Sequence, residues 1–115
     1  MAAIDRRVQI VDGSGNPVGS SINSGTFTDR SGTLTSSNVS QVVMAANSGR
    51  KALLIQNNSS ETVWINFTAS ATFSQPSIKL ASGVAYELDA TGLTLESVTI
   101  IGATSGLAYS AKELL

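Results

Sequence analysis

The sequence predicts an all-β chain: an antiparallel β-sandwich, jelly-roll-like, with an extended N-terminal arm. Three observations lead there. Ser and Thr fill 29 of the 115 positions and Gly another 10, while charged residues reach only 13%. That blend of hydroxyl, apolar and glycine residues suits short strands and turns. Beyond residue 38 the apolar residues alternate with polar ones in short runs, broken by turn residues about every 8 to 12 positions. Finally, 115 residues make one domain, large enough to bury a core of its own.

The arm comes first. Residues 7–12, Arg-Val-Gln-Ile-Val-Asp, read as a strand closed by the turn residues Gly13, Gly15, Asn16 and Pro17. Residues 13–37 hold Gly13, Gly15, Gly19, Gly25 and Gly32 among many Ser, Thr and Asn, too polar to fold alone and expected as an extended tether. The division is thus an arm over 1–37 and a sandwich over 38–115.

Strands follow over 39–44, 51–56 and 62–68. Leu53, Leu54 and Ile55 are apolar in succession, as expected of a strand covered on both faces. In the next strand Val63, Ile65 and Phe67 share one face, and Trp64 points from the other. Further strands are expected over 78–80, 84–88, 98–101 and 107–110, the last two joined by 102–106. The apolar parity changes between Leu95 and Val98, which predicts a bulge or break near Glu96 and Ser97.

Composition also excludes chemistry. With no Cys and no His, there are no thiol nucleophiles, disulfides, imidazole bases or common zinc sites. A hydrolase would need a facing carboxylate pair. Glu87 and Asp89, about 7 Å apart on one strand face, come nearest, and alternation alone accounts for them as a polar solvent face. Asp12, Ser14 and Asn16 open like a calcium loop but lack its closing acid, since Asn23 stands there. No cofactor and no metal are expected. A net charge of -1 gives no footprint for nucleic acid or anionic membranes, and no apolar run approaches the roughly 20 residues of a membrane span. Arg50 and Lys51 read as a solvated strand end. The candidate contact residues are Arg6, Arg7, Val8 and Ile10 on the arm, with Trp64 and Ile101 on the sandwich; a lone outward Trp suits a contact surface, and equally a strand covered on both sides or a ring lying over its own sheet.

The segment Arg50-Lys51-Ala52-Leu53-Leu54-Ile55-Gln56-Asn57-Asn58-Ser59-Ser60-Glu61-Thr62-Val63-Trp64-Ile65-Asn66-Phe67 resembles a hairpin of small virion proteins of tailed bacteriophages. Pro76-Ser77-Ile78-Lys79-Leu80 with Ser82-Gly83, and Ile100-Ile101-Gly102-Ala103-Thr104-Ser105-Gly106, are similar too. The resemblance runs over about residues 33–113, and the family to compare is that of head decoration, or cement, proteins. It implies a non-enzymatic sandwich on the outer surface of the virion, made in the host cytoplasm. Its implied partners are the major capsid protein and copies of itself, as a homotrimer ahead of a dimer. The same sandwich would also serve a neck, tail or fibre adaptor. A carbohydrate-binding module would need exposed aromatic platforms, and parity is expected to bury Tyr86 and Tyr109.

Overall fold

The computed structural model describes residues 25–89 and 92–115. The expected strand over 7–12 and the contact residues Arg6, Arg7, Val8 and Ile10 lie outside them. The described residues form nine strands and no helix: β1 (Phe27–Asp29), β2 (Gly32–Thr33), β3 (Gln41–Met44), β4 (Ala52–Asn57), β5 (Val63–Asn66), β6 (Ile78–Leu80), β7 (Ala85–Leu88), β8 (Val98–Gly102) and β9 (Ala108–Leu114). Two antiparallel sheets pack into a sandwich. One runs β1-β9-β4-β7, with β2 also on β9; the other runs β3-β8-β5-β6.

The pairing follows one rule. β2 meets β9, β3 meets β8, β4 meets β7 and β5 meets β6. This is one long antiparallel ribbon with its apex between β5 and β6. Rolling the ribbon adds the β4–β9 and β5–β8 pairs, which turn it into two sheets. Consequently β4 and β5, which alternation presents as a hairpin, belong to different sheets, and so do β6 and β7, and β8 and β9. Their connections are corners. Asn57, fully buried, holds two of them: its Nδ2 donates to the carbonyls of Glu61 and Leu80, and its Oδ1 accepts from the Ser59 amide and hydroxyl. A buried side-chain amide with so many satisfied partners fixes a turn more firmly than solvent would.

The core lies between the sheets, where Leu53, Ile55, Val63, Ile65, Leu80, Val98 and Ile100 meet with almost no exposure. β4 alternates between buried and half-buried residues, so Leu54 faces outward. The strand covered on both faces is β8 instead, all five residues of which are buried. The parity change at Glu96 and Ser97 is a break before β8, and a register shift between Val42 and Met44 matches it on the neighbouring strand.

Residues 26–34, placed by composition in the tether, are instead part of the sandwich. They run along β9 from Thr26, whose amide and carbonyl both pair with Leu115, to Leu34, whose amide and carbonyl bond Leu107 and Gly106. At the kink between β1 and β2, the Ser31 hydroxyl accepts from the Ala111 amide in place of a backbone carbonyl. Leu34 is 1% exposed and part of the core. It fits there because Gly102 has no side chain: a Cβ on Gly102 would come within 2.6 Å of Leu34 and 2.9 Å of Leu107. Backbone pairing against an existing strand needs no large side chains, which is why a polar segment can join a sheet.

Candidate interaction surface

The outward face of the four-stranded sheet carries Trp64, singled out from parity, and Ile101. Trp64 and Ile101 are register partners on β5 and β8, with Lys79 of β6 on the other side of Trp64. The next row is Val42, Thr99 and Asn66. A sheet face that is half apolar must be covered or remain available for contact.

The β5–β6 loop covers part of it. Asn66 is buried and anchors the loop at both ends: its Oδ1 accepts from the amides of Thr68 (2.8 Å) and Ala69 (3.1 Å), and its Nδ2 donates to the Ser77 hydroxyl (3.1 Å). The Thr99 hydroxyl donates to the Ala69 carbonyl, and the Ala71 amide donates to the Ser40 hydroxyl. Ala71 is thereby pressed onto the sheet and buried. Trp64 remains half-buried beside the buried Ile101, and Val39, Val42 and Phe73 are exposed by 55%, 57% and 43%. Of these, Val42 lies on this face by register, while Val39 precedes β3 and Phe73 lies in the β5–β6 loop.

A second concave feature lies on the opposite face of the molecule. Across β1, β9, β4 and β7 runs a groove of about 490 Å³, lined by Phe27, Ala52, Leu54, Leu114, Glu87, Asp89 and Lys112, with the core-facing pair Leu53 and Leu88 also bordering it. Glu87 and Asp89 are exposed on one strand face, as alternation predicts, yet the surface beside them is apolar. Tyr109 is buried as expected; Tyr86 is half-buried and packs on Phe67 with ring centroids 5.4 Å apart. Among the described residues no group of three or more His, Cys, Asp or Glu is placed to hold a metal ion. No helix of the described residues is long and apolar enough to cross a membrane.

Comparison with protein-family models, with curated proteins and with solved structures gives no match. The residues themselves therefore carry the argument.

The strongest charge cluster is structural. Arg50, expected at a solvated strand end, is buried. Its Nε donates to Glu113 at 2.9 Å, its Nη1 to the carbonyls of Thr94 and Glu96, and its Nη2 to the carbonyl of Ala45. Glu113, on the inward side of β9, receives a second bond from Arg30 Nε at 2.7 Å. Burial opposes ionisation of Glu113, but the hydrogen bonds and charges of Arg50 and Arg30 outweigh it and hold its pKa below the ordinary glutamate range. The sign of the consequence is fixed. A carboxylate with a depressed folded pKa stabilises the protein above its unfolded pKa of about 4.3, and that stabilisation is lost as pH falls toward the folded value. Thermal melts between neutral pH and pH ~3 should therefore show a Tm that drops below about pH 4.3, with Glu113→Gln starting lower and falling less. Equal slopes in the two proteins would remove Glu113 as the cause. Asp29, whose carboxylate is also held down by the hydroxyl and amide of Ser31, adds to the slope in both.

Proposed function

We propose that this chain is a non-enzymatic structural protein of a tailed-bacteriophage virion, which decorates the head and stabilises it by bridging major capsid protein subunits. The observation that carries the reading is the outward face of the four-stranded sheet. There half-buried Trp64 and exposed Val42 present apolar surface beside the buried Ile101. The two-sheet sandwich supports it further, because capsid proteins use two-sheet sandwiches of the jelly-roll kind. The resemblance of residues 50–67, 76–83 and 100–106 points to the same family. These segments contain Arg50, Asn57, Asn66 and Gly102, which build the sandwich, and Trp64 and Ile101, which face outward.

On this reading the mechanism is mechanical. The protein assembles as a homotrimer on the outer surface, and several modest contacts act together. Tethered contacts bind far more tightly than single ones. Neither nucleic acid nor membrane takes part.

Trp64→Ala tests the surface directly. The expected result is weaker co-sedimentation with empty capsids of the parent phage, and a smaller particle in light scattering, with little change in Tm. A core tryptophan would cost about 3 to 5 kcal/mol on truncation, so a large fall in Tm with unchanged assembly would overturn the assignment. Wild-type protein that scatters only as an 11.8 kDa monomer at micromolar concentration would overturn the trimer. Labelled protein found by imaging at the neck or tail would move it off the head.

A further inference from the structure

We propose that residues 25–31 form a strap that swings off the edge of β9 on a hinge at Ser31 while the sandwich stays folded, and that the Arg30–Glu113 ion pair is its latch. The inference is independent of what the sandwich binds.

The strap is fastened differently from the strand that follows it. From Gly25 to Ser31 no residue is buried; Thr28 and Arg30 are half-buried and the rest are exposed. Apart from Arg30, its hold on β9 is backbone pairing at a sheet edge, from Thr26 on Leu115 to the Arg30 amide on the Ala111 carbonyl. Segments with few buried apolar contacts and solvent-facing backbone bonds are the ones that open locally. Leu34, just beyond β2, is the opposite case: it is set in the core, with its amide and carbonyl bonded to Leu107 and Gly106. Between the two the ladder is interrupted. The Ser31 hydroxyl stands in for a backbone carbonyl at the Ala111 amide, and the Ser31 amide turns back to the Asp29 carboxylate at 3.0 Å. That break places the hinge.

The latch is one-sided. Glu113 bridges two arginines of unequal standing. Arg50, its side chain fully buried, also donates to the carbonyls of Ala45, Thr94 and Glu96, so it keeps its place without Glu113. Arg30 donates Nε to Glu113 at 2.7 Å and is 39% exposed, so water can take up its guanidinium. Neutralising Glu113 therefore frees the strap before the loops that Arg50 ties. Closed, the strap fills the edge of β9 from Ala111 to Leu115; open, it leaves that edge ready to pair with another chain.

Acid works this latch. Burial opposes the charge of Glu113, and the two arginines facing it, Arg50 and Arg30, hold its pKa below the ordinary glutamate range. Asp29 and Lys112 are register partners on the other face of the same strands, and Lys51 lies by Gly25. The ion pair is thus intact at neutral pH and is lost as pH falls through the folded pKa, below about 4.3.

Amide hydrogen exchange in full-length, isotope-labelled protein tests both parts, each rate being divided by that of the unstructured amide at the same pH. At neutral pH the amides of Thr26, Arg30 and Leu115 should share one protection factor, lower than those of Leu34 and Ile65. Dilute urea should leave the shared factor unchanged and lower the other two, because only global unfolding exposes much surface. Between neutral pH and pH ~3 the shared factor should fall by roughly tenfold, the scale of one charge-assisted hydrogen bond. Arg30→Gln should show the lowered factor already at neutral pH and change little with acid, since Glu113 then has the same partner whether the strap is open or closed. Strap amides that follow Ile65 in urea, or Leu34 exchanging with the strap, would overturn the hinge. An acid response equal in wild type and Arg30→Gln, or one abolished by Asp29→Asn, would overturn the latch.

Discussion

Arg50→Ala should lower the stability of the fold by about 3 to 5 kcal/mol, the usual cost of removing one partner of a buried ion pair. The replacement deletes four hydrogen bonds at once and leaves Glu113 buried with only the half-exposed Arg30 beside it. It also frees three carbonyls, of Ala45, Thr94 and Glu96, from the guanidinium that ties the loops before β4 and β8 to β9. Domains of this size have about 5 to 15 kcal/mol in total, so Tm should fall by roughly 10 to 20 °C. Exposed pairs contribute about 0 to 1 kcal/mol, which makes the two readings of Arg50 easy to separate by a thermal melt. Arg50→Met with Glu113→Leu should recover much of the loss, because no charge is then left buried. A Tm for Arg50→Ala within a degree or two of the parent would show that the cluster contributes nothing.

The second large effect is expected at Leu34. Leu34→Ala removes a fully buried side chain seated against Gly102 and Leu107, and such truncations cost about 2 to 5 kcal/mol. Deleting residues 1–37 goes further. It takes away β1, β2, Leu34 and Arg30, and exposes one edge of β9 along its length. The truncated protein should be unfolded by circular dichroism at room temperature. A cooperative melt for that deletion, or an unchanged Tm for Leu34→Ala, would mean that the sandwich closes without this strand.

These two residues also mark what the sequence conceals. Alternation states which face a side chain takes, and it located β3 to β9 within a residue or two, except that β9 runs on to Leu114. It says nothing of which strand lies beside which. Leu53 and Val63 both point to the core whether β4 and β5 pair or part, so sequential strands read as hairpins when three of those connections are corners. Arg50 looks solvated because its partner, Glu113, lies far along the chain and no local pattern links them. Residues 26–34 look like a tether because pairing through backbone amides leaves no mark in the side chains; only Leu34 hints otherwise. The same limits apply to the surface. Parity placed Trp64 on the side of β5 away from the core, where it is half-buried, whereas Ile101, expected as spare apolar surface, is buried in β8. It missed Phe27, an isolated aromatic in a polar stretch, and with it the groove, whose lining comes from four strands.

The rolled ribbon has a kinetic consequence. Only the β5–β6 pair is close along the chain; every other pairing joins more distant strands, up to Phe27 with Leu114. Contacts so far apart make a fold slow to form, on the millisecond-to-second scale of all-β domains. Pairing can begin at the apex and move outward, yet β9 lies between β4 and the first two strands, so neither can reach the other without it. Until the ninth strand enters, β4 has an open edge and β1 and β2 have nothing to pair with. The order of events is thus written into the connectivity: the outermost turn of the ribbon locks last, and it locks from both ends of the sandwich sequence together.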